Sequence, residues 1–91
     1  MATSTSFSDI QGQYLAFIHA YSLVMGQPSA EADMQRLFGV TPPSVHNMVK
    51  TLERLSLITR APRQARSIAV AVPEDELPRL RQPIKSSGSE Y

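Results

Sequence analysis

"VTPPSVHNMVKTLERLSLITR", Val40 to Arg60, decides the fold. Thr41 is a helix-capping residue, and Pro42 falls at the first helical position, where its missing N–H costs nothing. Pro43 also stays within the first turn, where proline is tolerated. Val45, Met48, Val49, Leu52 and Leu55 then recur at helical spacing and form one apolar stripe. Pro43, Asn47, Lys50 and Arg54 lie nearly opposite that stripe. Ser44 and Thr51 flank them on one side and His46 on the other. The spacing predicts a helix over Thr41–Leu55 with a core-facing side and a polar side. After Leu55 the period changes, and Leu57 to Arg60 reads as a short strand.

Upstream, Ser8-Asp9-Ile10-Gln11 carries the capping-box pattern, and Asp9 suits the positive end of a helix dipole. Ile10, Tyr14, Phe17, Ile18, Tyr21 and Met25 follow at three- and four-residue spacing, so an amphipathic helix is predicted over about 9–24. Gly26 and Pro28 stop it. Ser29 is the expected cap of a second helix, with Glu31 and Asp33 in its first turn and Met34, Leu37 and Phe38 inside. Gly39 ends that helix with a positive φ.

Downstream, Ala61 to Arg66, "APRQAR", reads as a basic turn. Ser67 to Val72 alternates, with Ile68, Val70 and Val72 on one face. Pro73 ends the hairpin, and "PEDELPRL" supplies a single acidic turn at most. The order is helix, helix, tight turn, helix, hairpin. That is a mainly α chain with a small β-hairpin, a three-helix winged helix-turn-helix. The expected organisation is a disordered N-terminus over 1–7, one domain over 8–81 and a flexible tail over 82–91.

The totals narrow the function classes. Ninety-one residues make one small domain, and 42% hydrophobic residues suffice for one core. With no cysteine there is no disulfide, thiolate metal site or thiol nucleophile. No apolar run reaches a membrane span, and the N-terminus lacks a secretory pattern. A cytoplasmic, nucleoid-associated, intact chain without membrane contact is expected. Net charge is only +1. Its distribution is uneven: Arg36, Lys50, Arg54, Arg60, Arg63 and Arg66 share their interval with a single acid, Glu53.

A helix that enters the major groove of B-DNA needs planar or short polar side chains outward and a rigid side inward. Ser44, His46, Asn47 and Lys50 project outward. Asparagine pairs bidentately with adenine, and lysine donates to guanine acceptors. Ser44 and Thr51 suit a phosphate or a base, and the helix start at Thr41 suits a phosphate. Arg60, Arg63 and Arg66, three apart around a turn stiffened by Pro62, would line one edge of the wing. There they would meet a phosphate ribbon or a minor groove. Arg54 completes the expected set of DNA-binding residues. The partner implied is double-stranded DNA, and the function a sequence-specific transcription regulator.

From Gln11 to about Leu80 the chain resembles the LexA-like winged helix-turn-helix DNA-binding domains of bacteria. The carrying residues are Pro28-Ser29-Ala30-Glu31-Ala32-Asp33-Met34 at the second helix start. The stronger marker is the step into the wing, Leu52-Glu53-Arg54-Leu55-Ser56-Leu57-Ile58-Thr59-Arg60. The resemblance implies a three-helix core, a two-stranded wing, a recognition helix over 41–55 and transcriptional regulation. Ser44, Asn47 and Lys50 match the outward positions of that helix, and Arg63 and Arg66 match the wing. Ser56 stands where a glycine is common. The chain stops at Tyr91, without the peptidase domain of a LexA repressor, so no autoproteolysis is expected.

Enzymatic function is not expected. His19 and His46 lie on different helices, and no cluster offers a metal its remaining ligands. No nucleophile triad or phosphate-cradling glycine loop is present. No cofactor, metal or small-molecule ligand is implied. The alternative reading is a non-enzymatic winged-helix module for protein interaction or dimerisation. Tyr14, Phe17 and Tyr21 would serve either the core or the interface of a homodimer, whose two reading helices would sit one DNA turn apart.

Overall fold

A computed structural model describes residues 7–81. Three helices, α1 (Asp9–Met25), α2 (Glu31–Phe38) and α3 (Pro42–Arg54), precede a hairpin of β1 (Ile58–Thr59) and β2 (Ala69–Val70). A short 3-10 turn, Glu74–Glu76, follows. The chain is mainly α with a small antiparallel hairpin, the winged-helix arrangement. No helix among the described residues is long and apolar enough to cross a membrane.

The helix ends follow local chemistry. Ser8 accepts a hydrogen bond from the Gln11 amide, and the Gln11 side chain accepts one from the Ser8 amide, closing the capping box. Thr41 Oγ1 accepts from the Ser44 amide at 3.3 Å, with Pro42 and Pro43 in the first turn of α3. Gly39 ends α2 at φ 64°, the left-handed value that lets α3 start three residues later. The second cap differs from expectation. Ala30, not Ser29, holds the N-cap position of α2, and the Asp33 carboxylate accepts from the Ala30 amide at 2.8 Å. Ser29 is wholly buried and forms an isolated antiparallel bridge with Ile68. A backbone committed to that bridge is not available to start a helix.

The third helix leaves α-geometry through Ser56, whose φ is 63°. The Leu57 amide donates to Leu52 O at 2.9 Å and the Ser56 amide to Glu53 O at 3.0 Å. Those two bonds define a Schellman ending, with serine in the place that glycine favours. Leu52 and Leu57, the apolar pair that accompanies this motif, are both buried. The bend aims the chain straight into β1. Ile58 then pairs with Val70 and Thr59 with Ala69.

The core unites all these elements. Val45, Val49 and Leu52 of α3 are completely buried, together with Leu15, Ile18, Met34, Leu57, Ile58 and Ile68. Each fully buried aliphatic side chain stabilises by about 1.5–3 kcal/mol. The expected α1 stripe needs one revision: Ile10 is exposed, and Leu15 takes a central place instead. Most of α1 is enclosed, because the chain after the hairpin returns across it. Gln13 grips that segment with both ends of its amide, donating to Arg79 O and accepting from the Arg81 amide. A side chain at Gly12 would come within 3.0 Å of Phe7 and Pro78, so glycine permits this close crossing.

Phe7 therefore packs against the domain, although it falls in the stretch expected to be disordered. The rest of the expectations for 1–7 and 82–91 lie outside the described residues. Tyr14, Phe17 and Tyr21 are core residues rather than an exposed dimer surface. Tyr14 stacks on Phe38 with ring centroids 4.4 Å apart, and Phe17 meets the edge of Phe38 at 5.9 Å.

Candidate nucleic-acid interface

The side of α3 away from the core carries Ser44, Asn47, Lys50 and Arg54, all exposed, with Thr51 half-buried at its border. The chain segment that returns over α1 binds Gln13 and leaves this row open. Thr41 Oγ1 donates to Ser44 Oγ at 3.0 Å, so the helix start is ordered before any partner arrives. His46 is not simply outward. Its Nδ1 lies 3.3 Å from Glu31 Oε2 at the start of α2.

The wing turn is built around Pro62 and Arg63. The Gln64 amide donates to Ala61 O at 3.3 Å, and Arg63 adopts φ 65°. Proline followed by a positive-φ residue is the type II turn, in which glycine normally takes the second central place. The Ser67 hydroxyl closes the loop from inside. It accepts from the Ala61 amide at 2.9 Å and donates to Gln64 O at 2.8 Å. Arg63 is held exposed at the tip of this closed loop.

The three wing arginines do not form one basic edge. Arg60 donates to Glu53 Oε1 at 3.1 Å and to Glu31 Oε2 at 3.2 Å. Arg66 turns inward and donates through one nitrogen to Asp33 Oδ2 (2.8 Å), Tyr21 OH (3.0 Å) and Pro28 O (3.3 Å). The hydrogen bond that Arg66 donates to Asp33, with the negative charge there, raises the Arg66 pKa above its ordinary value, so the guanidinium stays charged. Arg36 shares the other oxygen of Asp33 at 2.6 Å. Lys50, Arg54 and Arg63 have no ion-pair partner among the described residues.

These contacts tie the wing root to Glu53 of α3 and Glu31 of α2. A cleft of about 720 Å³ runs between the start of α2, Glu53 of α3 and the wing turn. Glu31, Glu53, Arg60, Pro62, Arg63 and Gln64 are among its walls. Glu53 is the α3 residue in its wall, and His46 and Lys50 precede it at helical spacing. The outcome is a polar row on α3 and, in the cleft beside Glu53, one free arginine and a compensated acid–base network. Sequence reading found the row and the tip. It missed Glu31 as their link, for which the only signal was an acid in the first turn of α2.

Neither a protein-family model nor a curated protein sequence matches the chain.

Proposed function

We propose that the protein binds double-stranded DNA in a sequence-dependent way and acts as a transcription regulator. In this reading α3 enters the major groove. Asn47 and Lys50 meet base edges, while Ser44 and Arg54 meet the backbone beside them. Arg63 contacts a phosphate from the wing tip. Arg60 and Arg66 hold the wing in place and do not touch the duplex. The observation that carries the proposal is the juxtaposition just described. A helix buried on one side presents an open polar row, and Glu53 of that helix lines one cleft with the wing-tip arginine. The LexA-like resemblance points the same way.

Fluorescence-polarisation titration with short random duplexes tests the reading. Binding is expected to weaken with salt, at a slope of about −0.9 for each phosphate neutralised. With Lys50, Arg54 and Arg63 as the contacting cations, a shallow slope of roughly −2 to −3 is expected. Selection of bound fragments should then enrich one motif. Failure to bind any duplex at low salt would leave the protein-interaction alternative as the better reading.

A further inference from the structure

Three elements converge on one carboxylate oxygen. Glu31 Oε2, at the first position of α2, lies 3.3 Å from His46 Nδ1 on α3 and 3.2 Å from Arg60 Nη1 at the wing root. Arg60 in turn reaches Glu53 Oε1, one turn of α3 beyond Lys50. The Glu31 side chain is only 26% exposed, so water and salt screen this junction less than a free surface pair. Glu31 on α2 meets His46 directly, Arg60 of the wing shares the same oxygen, and Lys50 and Glu53 stand one and two turns along α3 from His46. The second acid of α2, Asp33, is turned instead to Arg36 and Arg66.

We infer that Glu31 is a positioning residue: by holding His46 and Arg60 on one oxygen it sets the angle between the reading helix and the wing. This role rests on the duplex-binding reading above. A neutral imidazole gives Glu31 at most one hydrogen bond. The imidazolium adds an ion pair, and histidine changes charge between about pH 5 and pH 8. Protonation of the imidazole would therefore tighten the clamp. A fixed angle lets helix and wing engage only those duplexes whose groove and backbone match it, so discrimination improves rather than bare affinity. His19, the other histidine, faces Glu74 at 3.5 Å and takes no part in this cluster.

The test uses the full chain, the duplex recovered by selection and a scrambled duplex of equal length, at constant ionic strength. The ratio of the two affinities is followed from about pH 8 to about pH 5.5. For the unaltered protein the ratio should rise about threefold to tenfold toward low pH. Glu31→Gln should lower the ratio and flatten its pH profile. His46→Gln should flatten the profile alike without touching α2, and the double variant should add nothing further.

A pH response that persists in Glu31→Gln would mean that protonated His46 meets DNA directly, and would overturn the positioning role. A flat profile in the unaltered protein, with duplex binding intact, would overturn it too. No duplex binding at any pH would instead remove the duplex-binding reading, and the role with it.

Discussion

Arg66 Nη1 lies 2.8 Å from Asp33 Oδ2, across the gap between the wing and the second helix. Asp33 is buried and also caps Ala30 and pairs with Arg36. One carboxylate thus fixes a helix start and the return of the hairpin together. Asp33→Asn keeps the shape and removes the charge, and should lower stability by about 1.5–3 kcal/mol. Urea unfolding measures the loss. Arg66→Ala should also lower the urea midpoint, while the salt slope of duplex binding stays unchanged. A slope shallower by one contact would show Arg66 on the DNA instead.

Ser56 occupies a left-handed position that costs a non-glycine residue roughly 1–2 kcal/mol. Ser56→Gly relieves it, less the extra freedom that glycine gives the unfolded chain. A net gain of about 1 kcal/mol is expected, or about 4–8 °C in Tm for a domain of this size. Calorimetry checks it. Ser56→Ala should show no gain.

Arg63 repeats that backbone geometry at φ 65°, but at an exposed tip where no packing compensates. Arg63→Gly is expected to move two measurements in opposite directions. Tm should rise, and duplex affinity should fall with the salt slope shallower by about 0.9. Loss of stability with affinity retained would contradict the role given to the tip.

Asn47→Ala and Lys50→Ala should weaken binding to the selected duplex more than to a scrambled one. Loss of a good bidentate base contact corresponds to about 1–3 kcal/mol of discrimination. Arg63→Ala should weaken both duplexes alike. Competition titrations separate the two patterns, and equal losses for all three variants would remove the division between reading and gripping.

Burial of Tyr14 against Phe38 raises its phenol pKa above the ordinary 10.0. The folded state therefore holds that proton more tightly than the unfolded chain. Its contribution to stability is full below about pH 10 and is lost as pH rises through the raised value. Tyr14→Phe should change little at neutral pH and should blunt the alkaline loss of stability. Urea midpoints at several pH values check the sign.

Local signals in the sequence were faithful where the structure is local. The Ser8–Gln11 box, the Thr41 cap, the prolines opening α3, the glycine at 39 and the α3 stripe from Val45 to Leu52 all act within a few residues, whereas Leu55, expected on that stripe, is exposed past the helix end. What escaped was set by distant partners. Arg66 meets Asp33 across 33 positions and Arg60 meets Glu31 across 29, so a run that looks basic in sequence is mostly compensated in space. Ser29 looked like a cap because its bridge to Ile68 has no sequence signature. Gln13 gave no sign of gripping the chain at 79–81, and Ile10 fitted the helical period without being covered. Of the candidate interface, the helix row and the wing tip were legible, and the link through Glu31 was not.

In the proposed complex the exposed row of α3 and the wing tip together form the duplex-binding face. Amide NMR shifts of the full chain, followed during titration with the selected duplex, test it most directly. The largest changes should fall on Thr41, Ser44, Asn47, Lys50, Arg54 and Arg63, with the exposed end of α1 at Leu23 and Val24 unmoved. Changes concentrated on that end of α1, with the α3 row silent, would contradict the account.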